Sequence, residues 1–290
     1  LRDQEFLFAT GIECSYPTVA SDNGTMRRVD ELEMTFHYQR WCDDLHLVRE
    51  LGLRYLRYGP PYYRMHLGPD RYDWSFTDEV FPEMQRLGIE PVADLCHFGV
   101  PDWIGDFQNP DWPDLFAAYA GAFAGRYPWV RFYTPVNEIF VCAKLSALHG
   151  LWNERQRSER AFVTALKHLC RANLLATSAI LAVRPDAVVI QSESAEYFHP
   201  ACHHEEGRRK ADFENQRRFL PFDLLYAHPV RDDVRAYLRE QGLTNEEYTW
   251  FMNQRLADRS VMGNDYYERN EQLVLHEGGI QPAGEIFGWL

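Results

Sequence analysis

Short apolar runs alternate with longer amphipathic stretches along the chain. Phe6–Ile12 reads as a strand. In Trp41–Leu51, the residues Trp41, Leu45, Val48 and Leu51 fall on one face of a helix, and Gly52 ends it. Leu53–Tyr58 is then a second strand, Asp78–Leu87 a helix closed by Gly88, and Glu90–Leu95 a third strand. The alternation continues with a helix over Leu115–Arg126, a strand over Val130–Val136 and a long helix over Ala161–Val183 that stops before Pro185. A strand over Ala187–Ser192, helices over Asp212–Leu225 and Asp232–Gln241, and a sixth strand at Ser260–Gly263, reaching as far as Tyr267, complete the pattern.

Strands alternating with helices predict a parallel sheet with right-handed crossovers. The fold class expected is α/β, a TIM (β/α)8-type barrel of which this chain supplies about six βα units. Helix–Leu-Gly–strand occurs twice, at Leu51-Gly52 and Leu87-Gly88, as successive βα units require. No linker or low-complexity stretch divides the chain, so residues 1–290 read as one barrel domain. At about 51 residues per unit, eight units need ~400 residues, which predicts a domain incomplete at its C-terminal side. The tail Gln281–Leu290 reads as the start of a further helix.

Composition narrows the function. A net charge of −13 argues against nucleic-acid binding, which draws on a basic surface. No apolar run approaches the ~20 residues of a membrane span. The six cysteines at 14, 42, 96, 142, 170 and 202 show no CxxC spacing, which fits reduced thiols and a cytoplasmic location. Cys202-His203-His204 is the nearest approach to a metal cluster, but adjacent ligands with no second pair make a poor site. No metal or cofactor is expected. The aromatic content, 14%, fits either core packing or a cleft in which sugars stack on rings.

The segment Arg131-Phe132-Tyr133-Thr134-Pro135-Val136-Asn137-Glu138 carries the sharpest chemistry. An apolar strand ends in an amide and an acid, and the C-terminal ends of barrel strands line the active site. A carboxylic acid there can protonate a departing glycosidic oxygen, and the amide can bind a sugar hydroxyl.

Other segments extend this reading. They are Phe6-Leu7-Phe8-Ala9-Thr10-Gly11, His37–Asp44 followed by Leu51–Arg57, Asp94–Trp103 with its His97, Thr134–Glu138, and Gly263-Asn264-Asp265-Tyr266-Tyr267. In order and spacing they resemble glycoside hydrolase family 1, the β-glucosidase and β-galactosidase family of retaining (β/α)8 enzymes. The resemblance covers nearly the whole chain. It implies that Glu138 is the general acid/base, that Asn137 holds the sugar 2-hydroxyl and that His97 binds another hydroxyl. It further implies that Arg57 keeps a neighbouring carboxylate nucleophile ionised and that Tyr267 donates to that carboxylate. Trp103 and Trp152 are candidate sugar platforms, and equally candidate packing residues.

The chain also departs from the family. No Ile-Thr-Glu-Asn-Gly nucleophile motif follows the sixth strand. Glu277 lies only ten residues after Tyr267, too close for a crossover helix. Tyr16-Pro17-Thr18 stands where Tyr-Gln-Ile is expected, and Asp265 replaces an Asn. The function expected is a retaining β-glycosidase acting on a β-linked carbohydrate, with its nucleophile outside this sequence. The alternative is an inactive carbohydrate-binding or interaction protein on a degenerate barrel. Uncovered first and sixth strands would make self-association a further expectation.

Overall fold

The structure, a computed structural model, describes residues 6–21, 23–201, 204–254, 260–267, 269–275 and 278–283. Its centre is a six-stranded parallel sheet whose spatial order follows the chain. The strands are β1 (Ala9–Ile12), β2 (Tyr55–Tyr58), β3 (Glu90–Asp94), β4 (Phe132–Thr134), β5 (Val188–Ser194) and β6 (Ser260–Asp265). The register runs Ala9 beside Tyr55, Tyr55 beside Glu90, Val92 beside Phe132, Phe132 beside Val188 and Val189 beside Ser260. Each predicted strand is present within a few residues. Parallel neighbours all end on the same edge, so the C-terminal residues of the six strands gather there.

The crossover helices are α1 (His37–Glu50), α2 (Thr77–Leu87), α3 (Trp112–Arg126) and α4 (Glu159–Val183). Gly52 and Gly88 end α1 and α2 at φ 77° and 68°, left-handed positions where a side chain is strained. The two Leu-Gly pairs therefore stop their helices for the reason the sequence suggested. Ser158 caps α4 by accepting the Ala161 N–H at 3.1 Å. Helices α3 and α4 approach closely, because a Cβ at Gly121 would lie 3.3 Å from that of Ala179. Many aromatic rings are core: Phe81 of α2, Phe116, Tyr119 and Phe123 of α3, and Tyr62 are buried together.

Three regions differ from expectation. Asp212–Leu225 is two helices, α5 (Glu205–Arg217) and α6 (Leu220–Leu225), with Pro221 in the first turn of the second. After α7 (Asp232–Glu240) comes an unforeseen helix, α8 (Asn245–Met252), held by a capping box between Thr244 and Glu247. Gln281 and Pro282 do not begin a helix. Ile280–Pro282 pairs antiparallel with Glu271–Val274, which pairs in parallel with Tyr197–Pro200. Cys202, His203, Glu277 and the tail 284–290 lie outside the described residues. No helix among the described residues is long and apolar enough to cross a membrane.

Candidate active site

Strand ends deliver the polar groups. Arg57 is the third residue of β2, Asp94 ends β3, Asp265 ends β6, and Glu13 directly follows β1. Asn137 and Glu138 leave β4 on a loop that neighbouring strands hold. The Asn137 N–H donates to the Cys96 carbonyl at 3.0 Å and the Glu138 N–H to the Ser192 carbonyl at 3.0 Å. Val136 N–H donates to Oδ1 of Asn173 at 3.1 Å, so one buried polar residue on apolar α4 steadies the same loop.

Asp94 is the anchor. It is 1% exposed, and its Oδ2 accepts from Nδ1 of His97 at 2.6 Å and faces Arg57 at 2.8 Å. Burial pushes its carboxyl up, but Arg57 and His97 outweigh this and hold it below the usual carboxylate range. The Arg57 guanidinium also donates to Oδ1 of Asn137 at 2.6 Å. The Asn137 amide nitrogen lies 3.1 Å from Nε2 of His97. That ring nitrogen is also 3.3 Å from the Glu13 carboxylate. Burial disfavours the His97 imidazolium, yet Asp94 and then Glu13 raise its pKa above the ordinary histidine value. Arg57, Asp94, His97 and Asn137 thus form one closed network.

Glu138 stands beside it, 6% exposed, with left-handed backbone angles φ 39° and ψ 63°. Its pKa is pushed up to about 7, first by burial and then by Asp265, against the pull of His97 and Arg57. Asp265 accepts from the Ser192 hydroxyl at 3.2 Å, and burial raises its own pKa. A protonated carboxylic acid near neutral pH beside ionised groups is the division of labour that acid catalysis of glycoside cleavage requires.

Glu138 lines a cavity of about 330 Å³ together with Phe98, Trp152, Glu196 and Tyr267, a size that suits a small ligand. The Phe98 and Trp152 rings lie 4.7 Å apart. Tyr267 is 57% exposed, just beyond β6, with its side chain at the cavity mouth. Trp103 is not among these walls. Its indole donates to the His66 carbonyl at 2.6 Å and packs edge-on against the His66 ring, contacts that fit the packing alternative for this residue.

Sequence reasoning missed Asp94 and Glu13 as members of the network. The available signal was Asp94 itself, the acid that closes the Pro91-Val92-Ala93 run three residues before His97. Among the described residues, Cys42, His46 and Glu83 are the group whose ligand atoms could converge on a metal, on the outer faces of α1 and α2. The Arg86 guanidinium already holds both oxygens of Glu83, so a cation there would meet a resident positive charge.

Comparison with known proteins agrees with this geometry. The family model described as Glycosyl hydrolase family 1 matches residues 21–281. Over 229 residues the chain is 28% identical to the 6-phospho-beta-glucosidase AscB of Escherichia coli (strain K12), covering 73% of this chain and 47% of that protein. It is 24% identical to Beta-glucosidase A of Thermotoga maritima over 241 residues, 80% of this chain and 54% of the other. A solved family 1 b-glucosidase from Thermotoga maritima superposes with a TM-score of 0.72 at 22% identity, over 84% of this chain and 57% of its own. The fold is therefore that of a (β/α)8 barrel, of which six parallel strands are described. The chain spans about half the length of the curated relatives it matches. A family match over most of its length and a parallel barrel sheet lead to one conclusion: the chain belongs to glycosyl hydrolase family 1.

Proposed function

We propose that this chain carries the acid/base half of a retaining β-glycosidase site. The observation that carries the reading is the Glu138 carboxyl, buried in the cavity wall with its pKa pushed up to about 7. In this reading Glu138 donates its proton to the glycosidic oxygen as the bond breaks, then takes one from the attacking water. In the same reading the Asn137 amide and the His97 ring bind sugar hydroxyls, and Arg57 supplies the positive charge that keeps a neighbouring carboxylate anionic. Tyr267, which lines the cavity, donates to that carboxylate. The substrate class is a β-linked glycoside, consistent with the β-glucosidases and 6-phospho-β-glucosidases among the relatives.

The attacking carboxylate, a seventh-strand Glu in the resemblance, does not appear among the described residues at such a position. Asp265 and Glu13 are acids whose charges raise the Glu138 pKa. The test is the pH dependence of kcat/KM for a β-glucoside, measured on the natural protein that carries this chain. The acid must be protonated to act, so activity falls as pH rises through about 7. A profile flat from pH 5 to 9 contradicts the assignment.

A further inference from the structure

Glu193 lies outside the Arg57, Asp94, His97 and Asn137 network, yet it is hydrogen-bonded to the two residues that follow Glu138. It is 2% exposed near the end of β5. The helix after Glu138 runs from Ile139 to Ala143 and continues in wider turns through Leu148. Such a helix leaves its first N–H groups without intrahelical partners, and the side chain of the N-cap residue commonly satisfies one of them. Here the N-cap is Glu138, and its side chain makes no such bond. Glu193 makes them instead. Its Oε1 accepts the Ile139 N–H at 2.9 Å and its Oε2 the Phe140 N–H at 3.0 Å, and Gln191 Nε2 donates to Oε1 at 3.0 Å. One residue earlier, the Glu138 N–H is held by the Ser192 carbonyl. Three consecutive amides, 138 to 140, are thus fastened by one strand end. Between them sits a non-glycine residue in the left-handed region, a conformation that persists only when its surroundings hold it.

We propose that Glu193 is the positioning residue of this site: it caps the helix in place of Glu138, fixes residue 138 in its left-handed turn, and so keeps the Glu138 carboxyl in the cavity. The inference rests on the acid role proposed for Glu138. Both oxygens accept hydrogen bonds, a pattern that the anion serves best and the neutral acid still serves with reduced capacity. Burial outweighs the pull of the Phe140 and Ile139 amides and pushes the Glu193 pKa up to about 8, so it is the bonds, and not the charge, that hold the turn. The charged and titratable groups around Glu138 include Asp265, His97, Arg57 and Glu13, together with Tyr267 beyond β6 and Glu193 itself.

The experiment is carbon-detected NMR of the natural protein that carries this chain, with labelled glutamate side chains, the Glu138 signal being identified by its loss in Glu138→Gln. In the wild type, Glu138 is expected to titrate near 7. Glu193→Gln keeps the shape but puts a donating amide where one acceptor oxygen stood, so residue 138 loses part of its anchor and its carboxyl part of its burial. It is expected to lower the Glu138 midpoint by about one pH unit and to speed amide exchange at Ile139 and Phe140 about tenfold or more. Glu214→Gln, at another buried acid paired with Arg217, is expected to leave the Glu138 midpoint in place, which separates positioning from general softening. If Glu193→Gln does not fold, Glu193→Asp retains the charge with a shorter reach and is read by the same two signals. A folded Glu193 variant with an unmoved Glu138 midpoint overturns the inference and leaves the acid reading intact. A wild-type Glu138 that titrates near 4.5 overturns the acid reading, and the exchange rates then still decide whether Glu193 caps the helix.

Discussion

Replacing Glu138 by Gln removes one ionisable group from a buried site with little change in shape. In the folded protein that carboxyl titrates at about 7, against an ordinary value of 4.5. At roughly 1.36 kcal/mol per pH unit, ionising it costs the native state about 3 kcal/mol more than the unfolded chain. Between the two values the folded state binds more protons than the unfolded state. The stability linked to this group is therefore fully present below 4.5 and is lost as pH rises through 7. Glu138→Gln has no proton to lose. Its stability relative to wild type is expected to rise by about 3 kcal/mol between pH 4 and pH 8.5. The burial of the amide adds an offset that does not vary with pH, so it drops out of the comparison. Urea unfolding at four pH values, followed by tryptophan fluorescence with equal m-values, measures the difference. A wild-type-minus-variant difference that stays constant across the series would refute the reasoning.

Other substitutions test the frame around this acid. Arg57→Leu leaves buried Asp94 without its guanidinium and is expected to cost about 3 kcal/mol at pH 7 by denaturant titration; a loss under ~1 kcal/mol would show the pair to be structurally idle. Asn173→Ala strands the buried Val136 N–H, with an expected loss of about 1–3 kcal/mol and faster amide exchange at residue 136. Gly99→Ala drives a Cβ into the Tyr16 carbonyl, whose own N–H is bonded to the His97 carbonyl. It is expected to lower stability by about 2 kcal/mol or more, and a neutral outcome would mean that the loop yields freely.

The strand and helix pattern was legible because it is local. Apolar alternation marked all six strands, and Leu-Gly marked the ends of α1 and α2 with glycines at positive φ. Asn137-Glu138 was legible because a polar pair after an apolar strand has only the sheet edge to occupy. What stayed hidden is bonded across long sequence separations. Asp94 gains its meaning from Arg57, 37 residues earlier, and Glu193 from amides at 139 and 140, more than 50 residues earlier. An isolated acid carries no local sign of such partners. For Trp103 the sequence left a platform and a packing role open, because its partner, the His66 carbonyl, lies 37 residues away. The strand at Ile280–Pro282 was unreadable for the same reason as Glu193, since its form comes from pairing with Glu271–Val274.

The central claim is that Glu138 is the proton donor to a leaving glycosidic oxygen. It is tested most directly by comparing two β-glucosides, one with an acidic aryl leaving group and one with an alkyl leaving group, as substrates of the natural protein that carries this chain. Glu138→Gln is expected to cut turnover of the alkyl glucoside by ~10²–10⁴-fold. The aryl glucoside needs little protonation, so its bond cleavage, read as kcat/KM, is expected to fall far less. Equal losses on both substrates, or no loss on either, would contradict the claim.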